Sequence, residues 1–390
     1  MIVLFHPSIN KEKILENVEK VLNERMIGEG SVVSDFEQKV GEYLCGVYSG
    51  KQAKTVAVNS CTAALHLSYI LAGVKAGDEV IVTPLSCLAT SEPILYLGAK
   101  PVFADIQKDT LNIDPSSIEC KITKKTKAIV VMHNGGMPCD MDEIMDIAKR
   151  HNLKVIEDTA QAFGGEYKGK KLGDIADYGC LSFQSIKMIT SIDGGMLICK
   201  DEKDYKRAQN LRWFGIDRTK QRERKSLIPT GFDELFDQRA TTFDVDEYGY
   251  KYHMNNVTAS IGLANMEKIY EYLDYRKKLT KLYREELKDV NGITLLRDDP
   301  GNACWLFQVL VEDRKKLQEE LGKRGIEANM VQIRNDIYKI MGGKRQNLPV
   351  MNELEGSYLS LPLHHYVTEE DVRFICNNIK EIMNPFYNLP

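Results

Sequence analysis

With 390 residues, 43% of them apolar, the chain is long enough to bury a large core and to divide into one large and one smaller domain. Lysine and arginine total 52 against 56 aspartates and glutamates, and the net charge of −4 excludes a global pull towards nucleic acid or a membrane surface. No run approaches the roughly 18 apolar residues of a membrane helix, and Met1-Ile2-Val3-Leu4-Phe5 lacks the basic start and cleavage pattern of a signal peptide. Nine cysteines, scattered and without CxxC or His-paired spacing, read as free thiols in a reducing cytoplasm, with no metal site.

Residues 1–30 read as an entry arm with one helix over about 11–26, closed by the glycines of Ile27-Gly28-Glu29-Gly30. A second helix over 33–44 carries Phe36, Val40 and Leu44 at a spacing of four, which buries one face. Residues 55–59 form a short buried strand, and Ser60-Cys61-Thr62 then opens a helix over 63–72. Such a start is either a phosphate site, since free N–H groups and the helix dipole face an anion, or an ordinary serine cap. A strand over 79–83 leads through Pro84-Leu85-Ser86-Cys87-Leu88-Ala89-Thr90 into a helix ending near 97. Strands over 100–106 and 128–133, a weak helix over 115–120 and an amphipathic helix over 140–151 continue the alternation. That alternation predicts an α/β fold with a mostly parallel, doubly wound sheet. His133, before Asn134-Gly135-Gly136, is either a site residue or a histidine satisfied beneath a loop.

Two stretches then carry chemistry. An apolar strand over 154–156 ends at Glu157-Asp158-Thr159-Ala160-Gln161, placing Asp158 where a parallel sheet opens to ligands. Lys187 lies in a mostly uncharged run between a strand over 178–183 and the turn Asp193-Gly194-Gly195, with another strand over 196–199. A poorly solvated lysine loses basicity and can form a Schiff base with an aldehyde, and an aspartate aimed at a pyridine nitrogen keeps it protonated. Together these roles define a pyridoxal phosphate (PLP) site. The plain alternative makes Lys187 a surface lysine and Asp158 a strand-end cap.

Residues 164–170 read as a polar surface turn and 202–213 as a helix. Residues 215–247 show no strong periodicity and many charges, among them Arg218, Lys220, Arg222, Arg224 and Lys225. They are either a solvated run or a functional loop whose basic residues meet a substrate phosphate. From about 266 a long charged helix over 268–288, strands near 293–296 and 305–311, a helix over 314–324 and a closing helix over 369–382 read as a small α+β domain. Residues 361–365 read as a loop.

The blocks Glu157-Asp158-Thr159-Ala160-Gln161-Ala162, Ser182-Phe183 with Lys187, and Asp193-Gly194-Gly195-Met196 resemble the DegT/DnrJ/EryC1/StrS family of sugar aminotransferases, PLP enzymes of fold type I. The resemblance runs from about Gly28 to the C-terminus and keeps the motif order. It implies an arm over 1–30, a large PLP-binding domain over 31–265 and a small domain over 266–390. It also implies that Lys187 holds PLP, that Asp158 binds the pyridine nitrogen and that Gln161 meets the ring's 3-oxygen. Ser60, Cys61 and Thr62 match the family's Ser-Gly-Thr turn around the phosphate, and Ser182 matches a phosphate-binding serine. Cys61 departs from the usual glycine. Cys87 stands where an aromatic ring often stacks on the cofactor, so it either lines the cofactor or is a buried structural cysteine. Lys251 and His253 stand where asparagine and arginine are usual, the former reaching the phosphate of a neighbouring subunit. The implied activity moves an amino group from glutamate to a nucleotide-linked keto-sugar, in a cytoplasmic homodimer with shared sites. Rival readings are an aminotransferase for a smaller keto-phosphate or a cyclitol, a PLP dehydratase, which would carry histidine in place of Lys187, and a non-enzymatic sensor.

Overall fold

The computed structural model describes residues 1–45, 53–217 and 245–384, so most of the charged 215–247 segment lies outside the described residues. Short apolar runs set the strands of the large sheet: β1 (Lys54–Val58), β2 (Glu79–Val82), β3 (Lys100–Phe103), β4 (Thr126–Met132) and β5 (Lys154–Asp158). A two-stranded hairpin, β6 (Glu166–Tyr167) and β7 (Lys170–Lys171), precedes β8 (Tyr178–Ser182) and β9 (Gly195–Cys199). The sheet order is β1-β9-β8-β5-β4-β2-β3. Only β9 runs against the others in this sheet, pairing antiparallel with both β1 and β8. Helices cover both faces, which explains why β4, β5 and β8 are buried almost throughout.

This topology gathers the ends that matter. β5 is the central strand, and Asp158 is its last residue. Ser182 ends β8 opposite Gly195, and Val58 ends β1 opposite the same glycine. The strand ends carrying Asp158, Ser182 and the Ser60 turn therefore open on one edge of the sheet.

A second, antiparallel sheet orders β10 (Ile293–Leu295), β11 (Phe307–Val311) and β12 (Tyr358–Leu361). Helices Ile269–Leu287, Arg314–Lys323 and Glu369–Met383 share one apolar core with it. The last of these starts on a reciprocal cap between Thr368 and Asp371. The loop expected over 361–365 is borne out from Pro362 onward; Leu361 instead ends β12, which Pro362, having no N–H for a ladder, stops. Residues 164–170 hold the β6–β7 hairpin rather than only a turn.

The entry helix spans Lys11–Leu22 and ends earlier than its pattern predicts. Asn256 explains this: its side chain donates to the Met26 carbonyl at 2.8 Å, and its backbone N–H donates to the Gly28 carbonyl at 2.8 Å. The chain is thereby drawn onto the start of helix Asn256–Met266. The first residues pair elsewhere, with Ile2 bridging Ile326 beside the smaller sheet. Among the described residues no helix is long and apolar enough to cross a membrane.

Candidate active site

At the open sheet edge lies a cavity of about 560 Å³. Ser60, Cys61, Thr62, Cys87, Asp158, Gln161, Ser182 and Lys187 all line it, so eight of the nine residues singled out from the sequence meet in one place. Lys251 does not line it. Its ammonium lies 3.9 Å from the centre of the Trp213 ring.

Asp158 is 3% exposed. The Thr90 hydroxyl donates to its Oδ2 at 2.7 Å and the Ala160 N–H to its Oδ1 at 3.0 Å. Burial pushes its pKa above the ordinary aspartate value, while these two bonds and the Lys187 charge pull the other way. Each oxygen is thus fixed in place and keeps capacity for a further donor. Glu157, one residue earlier, points to the other side of the sheet, as strand geometry requires. It accepts from the N–H groups of Gly173, Ile175 and Ala176 at 2.7–2.9 Å and meets His133 Nε2 at 3.2 Å. Burial opposes its charge, but His133 and the backbone donors outweigh burial and lower its pKa. His133 Nδ1 accepts from the Cys139 N–H at 3.1 Å, so both ring nitrogens are satisfied away from the cavity. This settles His133 as a histidine beneath a loop.

Lys187 sits between β8 and β9 in a loop tied across its base. Phe183 N–H donates to the Gly194 carbonyl and Ser191 N–H to the Phe183 carbonyl, both at 2.9 Å. Trp305 Nε1 donates to the Ile186 carbonyl at 2.9 Å, and its ring centre lies 4.1 Å from the Lys187 ammonium. Burial lowers the lysine's pKa, with Asp158, Cys61 and Cys87 acting in the opposite sense. A larger fraction of the amine is therefore free to act as a nucleophile at neutral pH.

Helix Cys61–Leu71 begins at the cavity. Ser60 caps it, accepting from the Ala63 N–H at 3.1 Å, and a serine cap of this kind leaves other N–H groups of the helix end without an intrahelical partner. Gly195 makes the arrangement possible: a Cβ there would lie 2.3 Å from the Ser60 carbonyl carbon and 2.5 Å from the Cys61 nitrogen. Ser182 Oγ accepts only a long bond, 3.4 Å, from the Gln184 N–H. Gln161 Oε1 accepts from the Gly135 N–H at 2.8 Å. Cys87 is exposed and lines the cavity, which corrects its reading as a buried structural cysteine.

Further residues on the cavity escaped the sequence reading, among them Leu4, Phe5, Thr90, Trp305 and Glu327. Thr90 is the partner of Asp158 and lies in the first turn of helix Leu88–Tyr96, a place that carries no local signal of that role. Trp305 is one of two tryptophans in the chain, and Phe5 stacks on it with ring centres 5.5 Å apart. Glu327 accepts from the Leu4 N–H at 2.9 Å, so the first residues of the chain form part of the wall. The donor set fits PLP: a desolvated amine for its aldehyde, a buried carboxylate for its pyridine nitrogen and a helix N-terminus for its phosphate.

The model of the DegT/DnrJ/EryC1/StrS aminotransferase family matches residues 8–380. GDP-perosamine synthase of Escherichia coli O157:H7 is 32% identical over 97% of this chain and 98% of its own. Sugar aminotransferase CalS13 from Micromonospora echinospora superimposes with a TM-score of 0.88 at 29% identity, covering 98% of this chain and 100% of its own. The PLP form of a putative sugar aminotransferase, Spr1654 from Streptococcus pneumoniae, gives a TM-score of 0.86 at 26% identity over 99% of both chains. The chain belongs to the DegT/DnrJ/EryC1/StrS aminotransferase family, whose enzymes use pyridoxal phosphate.

Proposed function

We propose that this enzyme transfers an amino group from glutamate to a nucleotide-linked keto-sugar for polysaccharide biosynthesis. The observation that carries the reading is the convergence of a desolvated Lys187, a buried Asp158 and the start of helix Cys61–Leu71 on one cavity. The relatives' names supply the substrate class.

When bound, PLP supplies an electron sink for the carbon that gives up or receives the amino group. The chain's own residues do the rest. Lys187 would hold the cofactor through its amine and would move a proton at the reacting carbon as general acid–base. Asp158 would bind the pyridine nitrogen, a cationic partner that would offset its burial. Gln161 would meet the ring's 3-oxygen, and Ser60, Cys61, Thr62 and Ser182 would hold the phosphate. Phe5 and Trp305 wall the cavity and limit water. Lys251 reaches the phosphate of a neighbouring subunit in a homodimer with shared sites. In this reading the arm covers 1–30, the large domain 31–265 and the small domain 266–390, and the enzyme works in the cytoplasm.

The test incubates holoenzyme with ¹⁵N-glutamate and a panel of acceptors: nucleotide-linked keto-sugars, smaller keto-phosphates and keto-cyclitols. Label in a nucleotide-sugar product is the expected result. Label only in a keto-phosphate or cyclitol product would overturn the substrate class.

A further inference from the structure

A second cavity, of about 510 Å³, lies between helix Ile269–Leu287, the turn after β4 and the segment leading into β11. We propose that it is a second binding site, for a small metabolite carrying oxyanion groups (carboxylate or phosphate).

Charge is the first argument. Five basic side chains line the cavity, Lys277, Lys281, Arg284, Lys288 and Arg297, against three carboxylates. The first four are spaced four, three and four residues apart, which puts them on one face of the helix and its C-terminal end. Arg284 pairs with Asp298 at 3.4 Å and Arg297 with Asp140 at 3.0 Å. Lys281 and Lys288 have no ion-pair partner among the described residues, so two cations are available to a ligand.

The second argument is an unsatisfied guanidinium nitrogen. Arg297 lines the cavity, and its Nε is buried without a hydrogen bond among the described residues, the Asp109 carboxylate lying 3.7 Å away. A buried N–H without an acceptor is costly. Gln308 lines the cavity from β11, with its Oε1 accepting from Asn134 Nδ2 at 2.8 Å. An oxyanion would satisfy the guanidinium while meeting the lysines, the pairing that makes charge-assisted hydrogen bonds strong.

The cavity is not isolated from the chemistry. Asn134, which holds Gln308, is followed by Gly135, whose N–H donates to Gln161 on the active-site side. The two cavities therefore share one wall, although the proposed site stands on its own residues and not on the aminotransferase reading.

The experiment titrates the holoenzyme by calorimetry with pyrophosphate and, separately, with citrate. A Lys281→Glu/Lys288→Glu double variant serves as the control, because both side chains are exposed and the fold does not need them. One saturable event per chain, weakened about tenfold or more in the double variant, is expected. Pyrophosphate binding alone would identify a phosphate ligand, and citrate binding alone a carboxylate. The proposal is overturned if neither anion saturates below about 10 mM, or if the double variant binds as tightly as the wild type.

Discussion

Thr90→Val is the sharpest perturbation of the site, because it exchanges a hydroxyl for a methyl of nearly the same volume. Thr90 is fully buried, and its hydroxyl lies 2.7 Å from Asp158 Oδ2. A hydrogen bond to a charged group contributes about 1.5–3 kcal/mol. Its loss therefore disfavours the ionised carboxylate about ten- to a hundredfold relative to the protonated form. That bond lowers the Asp158 pKa, so removing it moves the pKa further up, in the direction burial already pushes. Turnover at neutral pH should fall by about the same factor, and the acid limb of the pH–rate profile should move to higher pH. Thr90→Ser, which keeps the hydroxyl, should recover most of both. Steady-state kinetics from pH 5 to 9 provide the assay. A Val variant with an unshifted profile, or a Ser variant no better than Val, would refute the reasoning.

Other perturbations have equally definite outcomes. Asp158→Asn removes a buried charge whose raised pKa means that the folded apoprotein disfavours ionisation. The wild-type apoprotein should lose stability as pH rises from the ordinary aspartate value through the raised one, and the Asn variant should escape that loss while turning over poorly; urea unfolding across this range measures it. Arg212 is buried and donates to Glu37, Glu29 and the Ala57 carbonyl at 2.5–2.9 Å. Arg212→Ala strands a buried glutamate and should destabilise the fold by about 3–5 kcal/mol in denaturant titrations. Trp305→Phe keeps a ring near Lys187 but loses the bond to the Ile186 carbonyl, and should cost about 1 kcal/mol; Trp305→Ala, which also empties a buried site, should cost about 3–5 kcal/mol.

The parts of this molecule that follow local rules were readable in its sequence. Apolar runs bounded by turns located β2, β4 and β5, and the polar block after β5 marked the sheet's ligand edge. The lysine loop was readable because an uncharged run with paired glycines needs a reason to exist, and the family resemblance supplied the chemistry. What stayed hidden depends on contacts between distant residues. Thr90 meets Asp158 from a different strand–helix unit, and Trp305 reaches Lys187 from the segment leading into β11. Gly195 reads as half of a turn until the Ser60 backbone is seen packed against it. β12 went unread because its four residues end at a proline, and a proline signals a break whether it stops a strand or sits in a turn. Leu4 and Phe5 carry no periodicity, and their place beside the site follows from Ile2 pairing with Ile326.

The central claim is that the Lys187 amine carries the cofactor. Borohydride reduction of freshly purified holoenzyme, followed by peptide mapping, tests it directly. The account predicts a pyridoxyl group on Lys187 and none in the Lys187→Ala protein; a tag on another lysine, or an untagged chain from active enzyme, would contradict it.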